Sequence, residues 1–115
     1  MNLKEHRLLN DDSLVIDYAN LDKRDTGIRA RIFISSKIPQ HKPRIRVYRR
    51  GGSFTLSVKD CPKLIAGNPT IVSGKIHKQV IEWVKLNKGI LLKYWNNPDM
   101  LYRESSKLIE NLKKV

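Results

Sequence analysis

Residues 44–58 hold two alternating runs separated by a pair of glycines, and no other stretch narrows the chain's folding options so tightly. Arg44, Arg46, Tyr48 and Arg50 alternate with Ile45, Val47 and Arg49, and Phe54, Leu56 and Val58 follow Gly51-Gly52 at every second position. Successive side chains of a β-strand point to opposite faces, so each run reads as a half-buried strand. The glycine pair predicts a tight hairpin, because a type I′ turn needs positive φ at both central positions. With Arg50 opposite Ser53, Val47 lies across from Leu56 and Ile45 across from Val58, which makes one apolar face. The other face then carries Arg44, Arg46, Tyr48 and Arg50, with Ser53, Thr55, Ser57 and Lys59 across from them. Arginine forks grip phosphates in pairs of hydrogen bonds and stack on flat rings, so such a strip suits a polyanion.

The remaining segments place this hairpin in an α+β domain. Leu14 to Tyr18 alternates and predicts a short strand, and the charged stretch from Asn20 to Gly27 reads as a loop. Ile28 to Ser35 alternates again, with Ile28, Ala30, Ile32 and Ile34 inward and Arg29, Arg31 and Phe33 outward. Residues 60–72 read as irregular. From Ser73, a suitable N-cap, the period changes. Ile76, Val80, Trp83, Val84, Leu91 and Trp95 recur at helical spacing, while Lys75, Lys78, Lys85 and Lys88 share the opposite side. Gly89 weakens this helix by about 1 kcal/mol relative to alanine. Asn97-Pro98 reads as a cap and first position of a second helix, with Leu101, Leu108, Leu112 and Val115 as its apolar stripe. The expectation is a single domain over residues 1–115. Strands fall at about 14–18, 28–35, 44–50 and 53–59, and helices at about 74–95 and 98–113. A three- or four-stranded antiparallel sheet is packed on one face by the two C-terminal helices.

Charge distribution narrows the partner. The net charge is +12, and residues 41–95 account for +10 of it, with Asp60 and Glu82 their only acids. Positive charge therefore belongs to the folded body, where its field attracts nucleic acid or an anionic surface. Cys61 is the only cysteine, which excludes an internal disulfide and a cysteine-rich zinc site. The N-terminus lacks the apolar core of a signal peptide, and no apolar run reaches membrane-spanning length, so a cytoplasmic setting is expected.

Three function classes follow. The first is a nucleic-acid-binding module, with RNA or single strands favoured. Arg29, Arg31, Phe33, Arg44, Arg46, Tyr48 and Arg50 share a sheet face, Lys59 stands nearby, and Lys75, Lys78, Lys85 and Lys88 add a basic helix face. The plain counterpart is a solvated, arginine-blunted sheet surface. The second is a metal-independent ribonuclease drawing on His41, Tyr48, Lys59 or Asp60. However, His6, His41 and His77 are scattered, and no spacing assigns a catalytic group. Scarce carboxylates argue against a two-metal nuclease, and neither metal nor cofactor is expected. The third is a phage- or plasmid-borne inhibitor bound to an acidic protein or a nucleoprotein complex. Membrane binding is disfavoured because the tryptophans of the basic helix are wanted by the core. The last helix is free to serve as a dimerisation arm.

A resemblance adds context. From Ile28 to Asn97 the chain resembles small bacterial toxins of the DhiT type, components of toxin–antitoxin pairs. The family pattern runs from an extended strand into Asn-Pro-Pro-His-x-His-Val and a glycine-containing hairpin. A helix follows, with Glu-Trp and a later Leu-Leu-x-x-Trp. The corresponding residues are Ile32-Phe33-Ile34-Ser35-Ser36, Lys42-Pro43-Arg44-Ile45-Arg46-Val47, Gly51-Gly52, Glu82-Trp83-Val84-Lys85-Leu86 and Leu91-Leu92-Lys93-Tyr94-Trp95. The resemblance implies a bacterial or mobile-element setting and a partner antitoxin that would cover the same face. Both family histidines are replaced, by Arg44 and Arg46. Arginine stays charged and is a poor proton acceptor, so anion binding is expected here in place of histidine chemistry.

Overall fold

Each strand of the sheet pairs antiparallel with the next in sequence, so the sheet is an unbroken six-stranded meander. The computed structural model describes residues 4–10 and 14–115, with side chains described from Tyr18 onward. The strands are β1 (Lys4–Asn10), β2 (Leu14–Leu21), β3 (Arg31–Ser35), β4 (Arg44–Arg49), β5 (Gly52–Ser57) and β6 (Leu64–Gly67). A one-turn helix α1 (Lys23–Thr26) joins β2 to β3, and α2 (Gly74–Asn96) and α3 (Tyr102–Glu110) close the chain. This is the expected α+β architecture with two C-terminal helices, and β1 and β6 widen the sheet beyond four strands. The expected strand at 14–18 is the first part of β2; the side chains of residues 14–17 lie outside the described set.

One sheet face and one stripe of α2 make the core. Ala19 and Leu21 (β2), Ile32 and Ile34 (β3), Ile45 and Val47 (β4), and Phe54 and Leu56 (β5) meet Val80, Trp83, Val84 and Leu91 of α2, with Ile109 and Leu112 at the margin. Burial of each Leu, Ile, Val or Phe side chain is worth about 1.5–3 kcal/mol, so this stripe holds the helix to the sheet.

The hairpin differs from expectation by a slip of two. Arg49 pairs with Gly52, Val47 with Phe54 and Ile45 with Leu56, so Arg50-Gly51 forms the turn. Only Gly51 of those two takes positive φ (98°), and a type I′ turn is therefore not formed. A slip of two leaves every side chain on its face, and it seats the large Phe54 ring opposite Val47 in the core. Val58, expected opposite Ile45, lies beyond β5, where its N–H donates to the Pro43 carbonyl at 3.0 Å.

Other boundaries moved for local reasons. Residues 28–30 bend into β3, and the charged segment before them folds as α1. The Asp22 carboxylate accepts from the Arg24 N–H at 2.9 Å, and the Asp25 carboxylate accepts from the Asp22 N–H at 3.0 Å, a reciprocal cap. Gly27 ends the turn at φ 81°, and a Cβ there would strike the Val115 carbonyl oxygen. Residues 64–67 form β6, and Pro69–Ile71 make a 3₁₀ turn. Asn97 does not open the second helix. Its amide donates to the Lys93 carbonyl at 2.6 Å and closes α2, so α3 begins only at Tyr102. Leu101 and Val115 are consequently exposed (52% and 42%), whereas Ile109 and Leu112 are buried.

Asn87, a polar residue in the apolar stripe of α2, is 2% exposed. Its Nδ2 donates to the carbonyls of Trp83 (3.0 Å) and Lys113 (2.9 Å), and its Oδ1 accepts from the Lys113 N–H at 2.7 Å. The C-terminal segment is thereby clamped to α2. Its last residue donates from Val115 N–H to the Thr26 carbonyl at 3.0 Å, which ties the tail to α1.

Candidate nucleic-acid interface

The sheet face opposite the helices is built in rows. Asn20, Phe33, Arg46, Thr55 and Ala66 are directly paired from β2 to β6, and the next row runs Arg31, Tyr48, Ser53. Directly opposed side chains in a sheet touch or nearly touch, so each row is a contiguous band. The Tyr18 and Phe33 rings lie against each other with centroids 5.2 Å apart and planes at 30°. Arg46 bridges to the neighbouring row. Its Nη1 donates to the Tyr48 hydroxyl at 3.2 Å, and its guanidinium carbon stands 5.9 Å from the Tyr48 ring centroid. Aromatic rings and guanidinium groups therefore interleave across three strands: Tyr18, Phe33, Arg46, Tyr48 and Arg31.

Arg31, Arg46 and Tyr48 are exposed, and Tyr18 and Phe33 are half-buried. Among the described residues, no carboxylate lies within ion-pair distance of Arg31, Arg44, Arg46, Arg49 or Arg50. Arg44 is less available than expected: it is half-buried, and its Nε donates to the Lys42 carbonyl at 3.1 Å. Thr55, between Arg46 and Ala66, is buried and forms the floor of its row.

The basic character gathers at one end of the sheet, beside the β4–β5 turn. A cavity of about 510 Å³ is lined there by Arg29, Arg31, Arg49, Arg50, Lys23 and Tyr48, with Asp22 and Ala30 completing it. Arg49 was not expected in the site, because its place in the alternation belongs to the inward set. At the strand's end it reaches solvent, and its Nη1 donates to the Arg29 carbonyl at 2.8 Å. That bond holds the loop carrying Arg29 beside Arg31, so Arg29 joins the site although it precedes β3. Asp22, the cavity's only acid, caps α1 and contacts Arg24 Nη2 at 3.1 Å.

Other expected contributors stand elsewhere. Lys78, Lys85 and Lys88 lie on the solvent side of α2, the layer opposite the outer sheet face. Lys88 is paired with Asp60 at 2.6 Å, and its hydrogen bond and charge hold the Asp60 carboxyl below its ordinary range. Lys75 reaches a smaller cavity of about 370 Å³ shared with Lys23 and Arg29. Lys59 is exposed beyond β5, outside the rows. His41 is exposed in the loop before β4, and His77 packs edge-on against Phe54 with centroids 5.5 Å apart, so the two do not converge. A larger cavity of about 640 Å³, between the end of α2 and α3, mixes Lys93 and Lys107 with Asp99 and Glu104 and does not touch the strip.

No family model matches this chain, and neither the curated proteins nor the solved structures contain a match. No helix among the described residues is long and apolar enough to cross a membrane.

Proposed function

We propose that this protein binds single-stranded nucleic acid, RNA in preference, across its outer sheet face. The observation that carries this reading is the interleaving of Tyr18, Phe33 and Tyr48 with Arg31 and Arg46 on an open face of paired strands. Bases freed from a duplex stack on such rings for about 1–3 kcal/mol each, whatever their identity. The arginines between the rings take the phosphates and stack on bases in turn. An open sheet face of this kind suits splayed single strands better than a duplex groove, which admits a helix or a narrow ribbon. Uncompensated charge in residues 41–95 supports the same reading by drawing a polyanion toward the hairpin.

The resemblance from Ile28 to Asn97 supports a bacterial toxin–antitoxin or mobile-element setting and a cytoplasmic site of action. An acidic antitoxin is the natural protein competitor for this face.

Fluorescence anisotropy tests the reading, with labelled single-stranded RNA, single-stranded DNA and duplex DNA titrated across salt. Binding by several phosphates gives a log–log salt slope of about −0.7 per contact on single strands, and single strands should bind tighter than duplex. Equal, weak binding of all three would defeat the proposal and turn the search to a protein partner.

A further inference from the structure

Five basic residues line the open depression beside the β4–β5 turn: Lys23, Arg29, Arg31, Arg49 and Arg50. Its single acid, Asp22, is already engaged at the cap of α1 and with Arg24. Like charges gathered in one concavity repel unless an anion lies among them. A phosphodiester within a strand brings one negative charge and two free oxygens. A phosphate monoester at a strand end brings about 1.5–2 charges and three acceptor oxygens, the better match to several guanidinium forks.

Position makes the same point. Tyr48 and Arg31 belong both to the stacking rows and to the cavity wall, so a strand lying along the rows leads into it. The cavity takes in Tyr48 and Arg49, at the end of the hairpin where Arg49 and Gly52 are the last paired residues.

We infer that this cavity binds the terminal phosphate monoester of the strand held on the sheet. The protein thereby distinguishes phosphorylated from hydroxyl ends. This rests on the binding mode proposed above and adds the substrate class to it. Monoester charge also sets a pH dependence: with a second pKa near about 6, the preference weakens as the phosphate takes up its proton. The groups lining the site are Lys23, Arg29, Arg31, Arg49, Arg50, Tyr48 and Asp22.

The test uses the full chain and single-stranded RNA of one sequence and length, internally labelled, with a 5′-phosphate, a 3′-phosphate or hydroxyl groups at both ends. One phosphorylated form is expected to bind about tenfold tighter than the hydroxyl form at neutral pH, the scale of one added charge-assisted pair. Which form gains identifies the end. The gain should shrink near pH 5 and vanish in Arg31→Ala with Arg50→Ala, two exposed positions whose replacement should leave the melting temperature unchanged. Hydroxyl-ended RNA reports on the sheet alone, so its failure to bind would count against the broader reading. A nucleoside monophosphate that displaces no RNA, together with equal affinity for all three ends, would overturn the terminal site while leaving strand binding intact.

Discussion

Replacing Asn87 by alanine should loosen the molecule at both ends of a long-range clamp. The side chain makes three hydrogen bonds in a nearly dry position, two of them to the Lys113 backbone at 2.9 and 2.7 Å. Trp83's carbonyl keeps its helical partner in the variant, so the third bond, at 3.0 Å, matters less. Lys113 loses partners for both its N–H and its carbonyl. Each net bond is worth about 1 kcal/mol, and Lys113 is exposed, so its released N–H and carbonyl turn to water at little further cost. Against this, alanine is the better helix former by a few tenths of a kcal/mol. The expected loss is about 1–2 kcal/mol. For a domain of this size that lowers the melting temperature by roughly 5–10 °C. Urea denaturation followed by circular dichroism measures it, and amide exchange at Lys113 and Val115 should accelerate beyond the global change. Asn87→Asp should behave almost as badly, since a carboxylate can accept from Lys113 but donates to neither carbonyl. Stability within about 0.5 kcal/mol of the wild type for both variants, inside the ordinary range for surface changes, would refute the clamp.

Four further outcomes follow from named contacts. Arg44→Ala with Arg46→Ala should weaken RNA binding by roughly tenfold or more, with a salt slope shallower by about one to two contacts and little change in melting temperature; unfolding of this variant would show that the outer face is misassigned. Trp83→Ala should cost about 3–5 kcal/mol, but Trp83→Phe far less, because the buried indole N–H has no partner among the described residues and none is lost. Gly67→Ala should destabilise by about 1–3 kcal/mol by forcing a side chain into φ 88° against Ser53 and Phe54, and exchange should rise first along β6. The Asp60–Lys88 pair contributes above the ordinary carboxylate pKa and is lost as pH falls through the lowered value of Asp60. Melting temperature against pH at low salt should therefore be slightly flatter on the acid side for Asp60→Asn, and high salt should erase the difference because both groups are solvated.

How far these features could be read in the chain depended on which contacts were local. Alternation alone assigned Ile45, Val47, Phe54 and Leu56 to one face and Arg46 and Tyr48 to the other. It could not separate two registers two residues apart, since both keep those faces. Arg49 escaped notice because its parity is inward and only its position at a strand end lets it out. Leu64 to Gly67 carries no alternation, being an edge strand exposed along its length, and its pairing with β5 depends on a register shift between Thr55 and Leu56. The lysines of α2 were legible as one face of a helix, but not as the face turned away from the arginine rows. Asn97 held two capping options of similar local merit, and the closing of α2 won. Asn87 escaped notice, because its partner lies 26 residues onward and leaves no periodic trace.

On the function proposed above, the outer sheet face meets the nucleic acid and the lysine face of α2 does not. Titrating ¹⁵N-labelled protein with single-stranded RNA and following the backbone amide resonances tests it most directly. The largest shifts are expected at Arg31, Phe33, Arg46, Tyr48 and Ser53, with smaller ones at Lys23 and Arg29. Shifts confined to Lys78, Lys85 and Lys88, with the strand residues unmoved, would contradict it.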